Sequence, residues 1–195
     1  MTTIVLIRPG ATNYDLEGRV RGRLDIPMNT QGYQEVAREV ETIQQTGIHL
    51  DALYYAPCRP AIETADAIAR ALDVKAKELD ALTNLDYGLW EGMRIEEIRT
   101  RQPKIYRQWQ EIPDCICPPE GETIEEAETR VTECLQRLLR RHKNQAVGLV
   151  VAEPLASIVK RLITQTPLGD LWKAESRHGQ IEILRWDPKP IETAS

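Results

Sequence analysis

The chain of 195 residues offers few side chains whose types and spacing could perform chemistry together. Glu153 and Asp86 could act as an acid–base pair, as paired carboxylates do in some hydrolases, although nothing in their spacing singles them out. His178 could transfer a proton or ligate a metal, but we interpret it as a hydrogen-bonded loop histidine. Cys115 and Cys117 supply half of a metal site, which no second pair and no nearby histidine completes. We therefore predict no metal and no cofactor, and interpret the two cysteines as free thiols.

The overall charge argues against two classes of partner. The formal net charge is -5 and the sequence pI is about 5.4, which disfavours a nucleic-acid backbone or an anionic membrane as the main partner. One basic cluster departs from this balance, and it consists of Arg137, Arg140, Arg141, His142 and Lys143. We interpret this cluster as the solvated face of a helix.

Composition and apolar runs predict a globular protein of the cytoplasm. Hydrophobic residues make up 42% of the chain and charged residues 28%, which excludes wholesale disorder. No apolar stretch approaches the roughly 18 residues that a membrane span needs. The first residues are typical of a strand rather than of a signal peptide. Four oddly spaced cysteines do not form a disulfide framework, so we expect a reducing compartment.

Short β-branched runs alternate with longer stretches of helical periodicity. Strands are predicted over Thr3–Ile7, Asp51–Tyr55, Asp73–Ala76, Ala146–Val151 and Gln180–Arg185. Helices are predicted over Thr30–Gln45, from Arg59 to Leu72, from Thr123 to Leu138 and from Pro154 to Leu162. In the first of these helices the apolar face comprises Tyr33, Val36, Ala37, Val40 and Ile43. This order predicts an α/β fold, a three-layer αβα sandwich with a mainly parallel sheet.

The stretch from Gly88 to Gly121, which precedes the longest helix, is less regular in its hydrophobic pattern. It is rich in proline and tryptophan, and two short helices are predicted within it, around Ile95–Arg99 and Pro103–Glu111. Such a segment is typical of a covering element. We predict a single domain over 1–195 with a lid-like insertion at about 93–121.

Six short motifs then follow one another in the order of a known family. They are Leu6–Thr12, Gly22–Asn29 with Gly32, Tyr55–Ala65, Leu85–Gly92, Pro119–Thr123 and Leu149–Glu153. Together they resemble the histidine phosphatase superfamily, which includes phosphoglycerate mutases, over nearly the whole chain. The fourth motif, with its sequence Asp-Tyr-Gly-Leu-Trp-Glu-Gly, matches the family closely. The resemblance implies a phosphoglycerate mutase-like fold.

The resemblance also implies where catalytic residues would stand. In that family one histidine attacks phosphorus, two arginines and a second histidine hold the phosphate oxygens, and a carboxylic acid protonates the leaving group. In this chain the nucleophile's position is Pro9, the second arginine's is Pro60, the acid's is Asn84 and the second histidine's is Glu153. Only the first arginine is present, as Arg8. We therefore predict a degenerate member with no catalytic residues.

The residues around these positions could form what we call the remnant pocket. Its members are Arg8, Gly10, Arg21, Arg59, Glu153 and His178. For Arg59, and for the nearby Arg23, the alternative is an ordinary surface charge. A lone buried guanidinium needs a counter-charge, so we predict that Arg8 and Glu153 form a salt bridge.

The family's scaffold motifs are present while its catalytic residues are absent, which favours a binding or regulatory role. We therefore predict an inactive, pseudophosphatase-like module. Two alternatives stay open: an enzyme that acts by an altered mechanism, and a pocket that holds phosphorylated metabolites without converting them. The expected partner is a protein or a small anionic ligand. Family members are often dimers, so a homodimer is compatible with the resemblance.

Overall fold

The computed structural model describes residues 1–115 and 117–186. Its centre is a five-stranded sheet, and its strands are β1 (Thr2–Arg8), β2 (Ala52–Tyr55), β3 (Ala76–Glu78), β4 (Ala146–Val150) and β5 (Gln180–Trp186). The strand order is β3-β2-β4-β1-β5. β1 to β4 are parallel, and β5 pairs antiparallel with β1. β1 and β4 are almost wholly buried, as expected for parallel strands that are covered on both faces.

Helices cover both faces of this sheet. They are α1 (Asn13–Leu16), α2 (Thr30–Thr46), α3 (Arg59–Leu72), α4 (Ile95–Arg101), α5 (Pro103–Glu111), α6 (Ile124–Arg141), α7 (Leu155–Thr164) and α8 (Leu171–Ala174). Short 3-10 turns lie at Asp80–Leu82, Gly88–Trp90 and Pro113–Cys115. The crossovers from β1 to β2 and from β2 to β3 advance toward one sheet edge, whereas the crossover from β3 to β4 turns back. Because such crossovers are right-handed, α2 and α3 pack together on one face, and α6 and α7 on the other.

The predicted fold class is confirmed, and most predicted elements agree within two or three residues. The predicted strand Asp73–Ala76 is wrong in its start, since β3 begins at Ala76. Asp73 instead ends α3 in the left-handed conformation, with φ of 51°. Parts of the predicted domain 1–195, namely Ile116 in the insertion and residues 187–195, lie outside the described residues. None of the helices described is long and apolar enough to cross a membrane.

The buried face of α2 differs from the predicted one. Tyr33 is 54% exposed, whereas the face turned to the protein carries Gly32, Glu35, Val36, Glu39 and Ile43. Glycine at 32 allows a very close approach to the loop after β1. A β-carbon there would lie 2.3 Å from the carbonyl oxygen of Ala11, and one on Gly10 would lie 2.3 Å from that of Gly32. The first turn of α2 therefore packs directly against this loop. As a result, the buried side chains of Glu35 and Glu39 lie behind the loop.

An aromatic cluster fastens the predicted insertion to the rest of the domain. Trp109 of α5 is fully buried, and its ring lies 5.9 Å from that of Trp90 and 6.0 Å from that of Trp172. Tyr106, one turn earlier, stacks on Trp172, whose indole N–H donates to the Tyr106 carbonyl at 3.0 Å. Such aromatic contacts add to the stability that burial alone gives. The short helices α4 and α5 are thus held by packed rings.

The interpretation of the basic cluster as a solvated face is wrong for His142. This residue is 8% exposed, and its Nε2 lies 2.8 Å from the Tyr54 hydroxyl while its Nδ1 lies 2.7 Å from Oε1 of Gln145. His142 follows the last turn of α6, so it turns under the helix end rather than outward.

We expect Gly32→Ala to destabilise the protein, although alanine favours helices more than glycine does. The added β-carbon would overlap the Ala11 carbonyl, and overpacking of this kind costs about 1–3 kcal/mol. Urea denaturation measures the change. Gly169→Ala is the control, because a β-carbon at Gly169 meets nothing within 4 Å. Equal stability of the two variants would contradict the close approach.

Candidate functional site

The carboxyl ends of two central strands meet at one edge of the sheet, and the candidate site is built there. β1 and β4 are in register with Ile7 opposite Val150, and the Val151 amide donates to the Ile7 carbonyl at 2.9 Å. Arg8 is the last residue of β1, and Glu153 stands three residues past the end of β4. The pairing of the strands therefore brings these two side chains together, and ligand sites of open α/β sheets commonly lie at this edge.

Arg8 and Glu153 form a buried ion pair, as the sequence predicted. The Arg8 Nε donates to Glu153 Oε1 at 2.6 Å, and the two side chains are 3% and 0% exposed. The other oxygen of Glu153 accepts from the Ser157 amide at 3.1 Å and from its hydroxyl at 2.7 Å. Both oxygens of the carboxylate are thus occupied, which is the condition under which a buried ion can be tolerated.

A second carboxylate completes the surroundings of Arg8. Nη2 of Arg8 lies 3.5 Å from Oε2 of Glu182, which stands on the antiparallel strand β5. The other oxygen of Glu182 lies 2.5 Å from Nζ of Lys160 on α7. Burial raises the pKa of Glu182, but the hydrogen bond and charge of Lys160, with those of Arg8, bring the pKa below its ordinary value. Glu182 is therefore charged at neutral pH and shares the guanidinium with Glu153.

Asn84 connects its own backbone segment to two others at the site, the loop at Gly22 and the turn at 153–155. Its side-chain nitrogen donates to the carbonyl oxygens of Gly22 at 3.1 Å and Glu153 at 2.9 Å. Its side-chain oxygen accepts from the Leu155 amide at 3.3 Å. A carboxylate could not make the first two bonds, because it has no hydrogen to donate. The amide at position 84 therefore fixes the backbone on both sides of the ion pair.

The loop after β1 is held by its backbone from several directions. The carbonyl of Pro9 accepts from the Gly179 amide at 2.9 Å. The Gly10 amide donates to the Thr64 hydroxyl at 3.4 Å, and the Ala11 amide donates to Oε2 of Glu35 at 3.0 Å. Pro60, like Pro9, is buried and lies in the first turn of α3, where a missing N–H costs little. Neither proline offers a group that could attack or hold a phosphoryl group.

His178 reaches the site through Glu35. Its Nδ1 lies 2.9 Å from Oε2 of Glu35, whose other oxygen accepts from Gln31 at 2.7 Å. Burial raises the pKa of Glu35, but the hydrogen bonds from Gln31, His178 and the Ala11 amide together lower it below the ordinary value. His178 is thus a hydrogen-bonded loop histidine, as interpreted from the sequence. Within 1–115 and 117–186 no three histidine, cysteine or acidic side chains are grouped to hold a metal ion.

The other arginines near the site also have carboxylate partners. Arg21 is buried, with Nη1 3.3 Å from Oδ2 of Asp15. Arg59 is about half exposed and lies 3.7 Å from Glu63. Arg23, which the sequence left open as a surface charge, lies 3.0 Å from Oδ2 of Asp86 and 3.4 Å from Glu122. Each guanidinium that could have held an anion is therefore already next to a negative group.

Two buried acids at the site were not expected from the sequence. Glu39 on α2 is 3% exposed, and neither of its oxygens has a hydrogen-bond partner among the described residues. Burial, with the nearby charge of Glu35, raises the pKa of Glu39 to about 9, although Arg8 opposes the shift. Burial also raises the pKa of Glu175 to about 8, and Tyr87 donates to its Oε1 at 2.7 Å. The four-residue spacing of Glu35 and Glu39 after Gly32 was the available signal, because it places all three on one helix face.

The family assignment follows from comparison with known proteins. The profile of the histidine phosphatase superfamily (branch 1) matches residues 4–194. The chain belongs to this superfamily. A solved structure, that of Bacillus stearothermophilus YhfR, superposes on the whole chain and on 96% of its own length, with a TM-score of 0.84 and 25% identity.

Curated relatives bear phosphatase names. Phosphoserine phosphatase 1 of Hydrogenobacter thermophilus is 29% identical over 150 residues, which cover 77% of this chain and 70% of the relative. The phosphatase PhoE of Bacillus subtilis, described as uncharacterized, is 30% identical over 171 residues, or 87% of this chain and 80% of the relative. The family expected from the six motifs is thus confirmed.

We expect Arg8→Met to lower the free energy of unfolding strongly, by about 3–5 kcal/mol, because it leaves a buried carboxylate without its counter-charge. The double variant Arg8→Met/Glu153→Leu removes both charges and is expected to recover most of that loss. Urea denaturation of the wild type, the two single variants and the double variant measures the coupling.

An exposed ion pair of similar length provides the matched control for this cycle. Arg99 and Glu96 lie 2.7 Å apart, with side chains that are 58% and 64% exposed. Removal of either should change stability by no more than about 1 kcal/mol. If the double variant were as unstable as Arg8→Met, the loss of stability in Arg8→Met would not come from the unpaired charge of Glu153.

We expect Glu39→Gln to flatten the dependence of stability on pH. With a pKa of about 9 in the folded state and 4.5 when unfolded, Glu39 takes up a proton on folding throughout that interval. The unfolded state binds fewer protons there, so this residue's contribution to stability falls as pH rises, by up to about 1.4 kcal/mol per pH unit.

Urea denaturation between pH 5 and pH 9 measures this slope. Glu41→Gln on the exposed side of the same helix is the control and should leave it unchanged. Parallel curves for the wild type and Glu39→Gln would show that Glu39 titrates normally.

Proposed function

We propose that this chain is a non-catalytic member of the histidine phosphatase superfamily that acts as a binding or regulatory module. The proposal starts from the four positions at which the family resemblance places catalytic groups. Pro9, Pro60, Asn84 and Glu153 stand there, and none of these side chains can attack phosphorus or hold a phosphate oxygen by a positive charge. Loss of the nucleophile removes the covalent route, and loss of the other groups removes the residual assistance.

The observation that carries the proposal is the engagement of Arg8 by Glu153. Arg8 is the one family phosphate ligand still present, and its Nε is 2.6 Å from a buried carboxylate. A phosphate dianion at this place would have to displace Glu153 or lie beside it. At 4 Å and an effective dielectric constant of about 20, each like-charge pair costs about 4 kcal/mol. Glu153 therefore excludes the substrate and replaces it as the partner of Arg8.

The neighbouring charges support the same conclusion. Arg21 and Arg59 each have a carboxylate of their own, and Glu182 adds a further negative charge beside Arg8. A phosphate pocket needs an excess of cationic donors, since the ligand brings two negative charges of its own. Around Arg8 the carboxylates of Glu153 and Glu182 are matched by Arg8 and Lys160, so there is no excess of positive charge for a phosphate.

The scaffold around these four positions is nevertheless held by specific contacts. Asn84 uses its amide to tie three backbone segments together, and Gly10 and Gly32 keep the loop after β1 in close contact with α2. A fold maintained in this way, without catalytic groups, is suited to recognition of another molecule. The expected partner is a protein, or a small anionic ligand bound outside the ion pair.

We expect no hydrolysis of p-nitrophenyl phosphate above the background of a variant that lacks the ion pair. Arg8→Met/Glu153→Leu is the suitable background, because it removes the remaining phosphate ligand without leaving a buried charge alone. Steady-state assays at pH 5, 7 and 9 compare the two proteins. We also expect inorganic phosphate and phosphosugars to leave the melting temperature of the wild type unchanged, since a ligand that binds the folded state raises it.

The outcomes separate the three functions considered for this fold. Turnover by the wild type that the double variant lacks would establish an enzyme with an altered mechanism. A rise in melting temperature with phosphosugars but no turnover would establish a metabolite-binding protein. Absence of both supports the non-catalytic module.

A further inference from the structure

A cavity of about 200 Å³ lies between α6 and the edge of the sheet formed by β2 and β3. None of its lining residues belongs to the remnant pocket. Tyr54, Leu79 and Leu138 line its floor, and Tyr54 and Leu138 are 7% and 6% exposed. The floor is therefore largely apolar and belongs to the packed interior, while the cavity itself opens at the surface.

Three cationic side chains surround this floor. Lys77 lies on β3 opposite Tyr54 of β2, so both point to the same face of the sheet. Arg137 and Arg141 are four residues apart on α6 and therefore lie on the same face of that helix. All three line the cavity, and they reach it from two different elements.

These positive charges have no carboxylate partner among the described residues. No acidic oxygen in 1–115 or 117–186 lies within 4.0 Å of the charged nitrogens of Lys77, Arg137 or Arg141. The carbonyl groups at the end of α6 favour a cation in its last turn, which accounts for Arg141. They do not account for Arg137 one turn earlier or for Lys77 on a strand. Like charges spaced four residues apart on a helix repel each other, so an anion in the cavity would relieve an existing cost.

The thiol of Cys134 adds to the apolar character of the lining. Burial raises its pKa above the ordinary value, although the charge of Arg137 opposes the shift. A neutral thiol behaves as a small hydrophobic group. The cavity thus combines one apolar side with one strongly positive rim.

We propose that this cavity, which we call the basic cavity, binds a small organic carboxylate, with the carboxylate held by Arg137, Arg141 and Lys77 and an apolar body resting on Tyr54, Leu79 and Leu138. An apolar cavity of roughly 150 Å³ accommodates benzene, so the volume here suits one ring or a short acyl chain. Arginine donors match the two oxygens of a carboxylate. The site is independent of the ion pair at Arg8 and does not depend on whether the chain is catalytic.

Hexanoate is the probe, and two matched compounds separate charge from apolar contact. Hexanol has the same chain without the charge, and acetate has the charge without the chain. In a titration of ¹⁵N-labelled protein followed by NMR, hexanoate should produce saturable shifts at the amides of Leu79 and Leu138. Hexanol and acetate should each bind about tenfold more weakly or worse, because each loses one of the two contributions.

Substitutions on α6 provide a matched set of variants. Arg137→Gln and Arg141→Gln should each weaken hexanoate binding by about tenfold, as expected for the loss of a charge-assisted hydrogen bond. Arg140→Gln removes the same charge from an exposed position that does not line the cavity, and it should change the affinity less than about twofold. Lys77→Gln tests the rim from β3, independently of any change in the helix.

The proposal is overturned if hexanoate gives no saturable shifts at Leu79 and Leu138, or if its shifts centre on Gly10 in the remnant pocket. It is equally overturned if hexanol binds as well as hexanoate, or if Arg140→Gln weakens binding as much as Arg137→Gln does. None of these probes is a phosphate ester, so the result is separate from the assays of the ion pair.

Discussion

A buried pair of opposite charges, Arg8 and Glu153, stands at the centre of this protein. Arg8 ends the second-from-edge strand and Glu153 follows the neighbouring one, and neither side chain has water in reach to any useful extent. Burial of either ion alone would cost several kcal/mol, so the structure around them must keep both in place. The register of β1 with β4, the amide of Asn84 and the first turn of α7 all serve this purpose. The contacts of Arg8 are therefore those of a buried ion pair.

The same constraint organises the acids that surround the pair. Glu182 remains charged because Lys160 stands beside it, and Glu35 remains charged because it accepts three hydrogen bonds. Glu39 has no such partner and keeps its proton instead, with a pKa of about 9. Arg8 can balance only a limited number of negative groups, and the remaining buried carboxyl is accommodated in its neutral form. Whether each carboxyl group behind the loop after β1 is ionised or neutral thus depends on the cations and hydrogen-bond donors beside it.

Much of this arrangement could be predicted from the sequence, and the limits have physical reasons. Alternating periodicities gave the order of strands and helices, and six motifs in order gave the family. The Arg8–Glu153 pair followed because the family's strand order places the two strand ends side by side. The burial of Glu35 and Glu39 could not be predicted, because a hydrophobic pattern assigns carboxylates to the solvent face of a helix. The same pattern wrongly placed Tyr33 on the buried face. His142 and Arg137 were treated as one basic cluster, although the former turns under the helix end and the latter lines a cavity. The two environments differ because of how His142 and Arg137 lie relative to β2 and β3, which the sequence of α6 does not show.

Asn84 has a consequence for any attempt to introduce the family's catalytic residues into this fold. Its amide supplies hydrogens to the carbonyls of Gly22 and Glu153, and an acid introduced at the same position would withdraw both. Each buried carbonyl left without a donor costs about 1–3 kcal/mol, before any catalytic benefit could be selected. A histidine introduced at position 153 would likewise leave the buried Arg8 without the counter-charge of Glu153 unless an anion bound there. Variants that carry the family's catalytic residues one at a time are therefore expected to be less stable than the present sequence, which its own internal contacts stabilise.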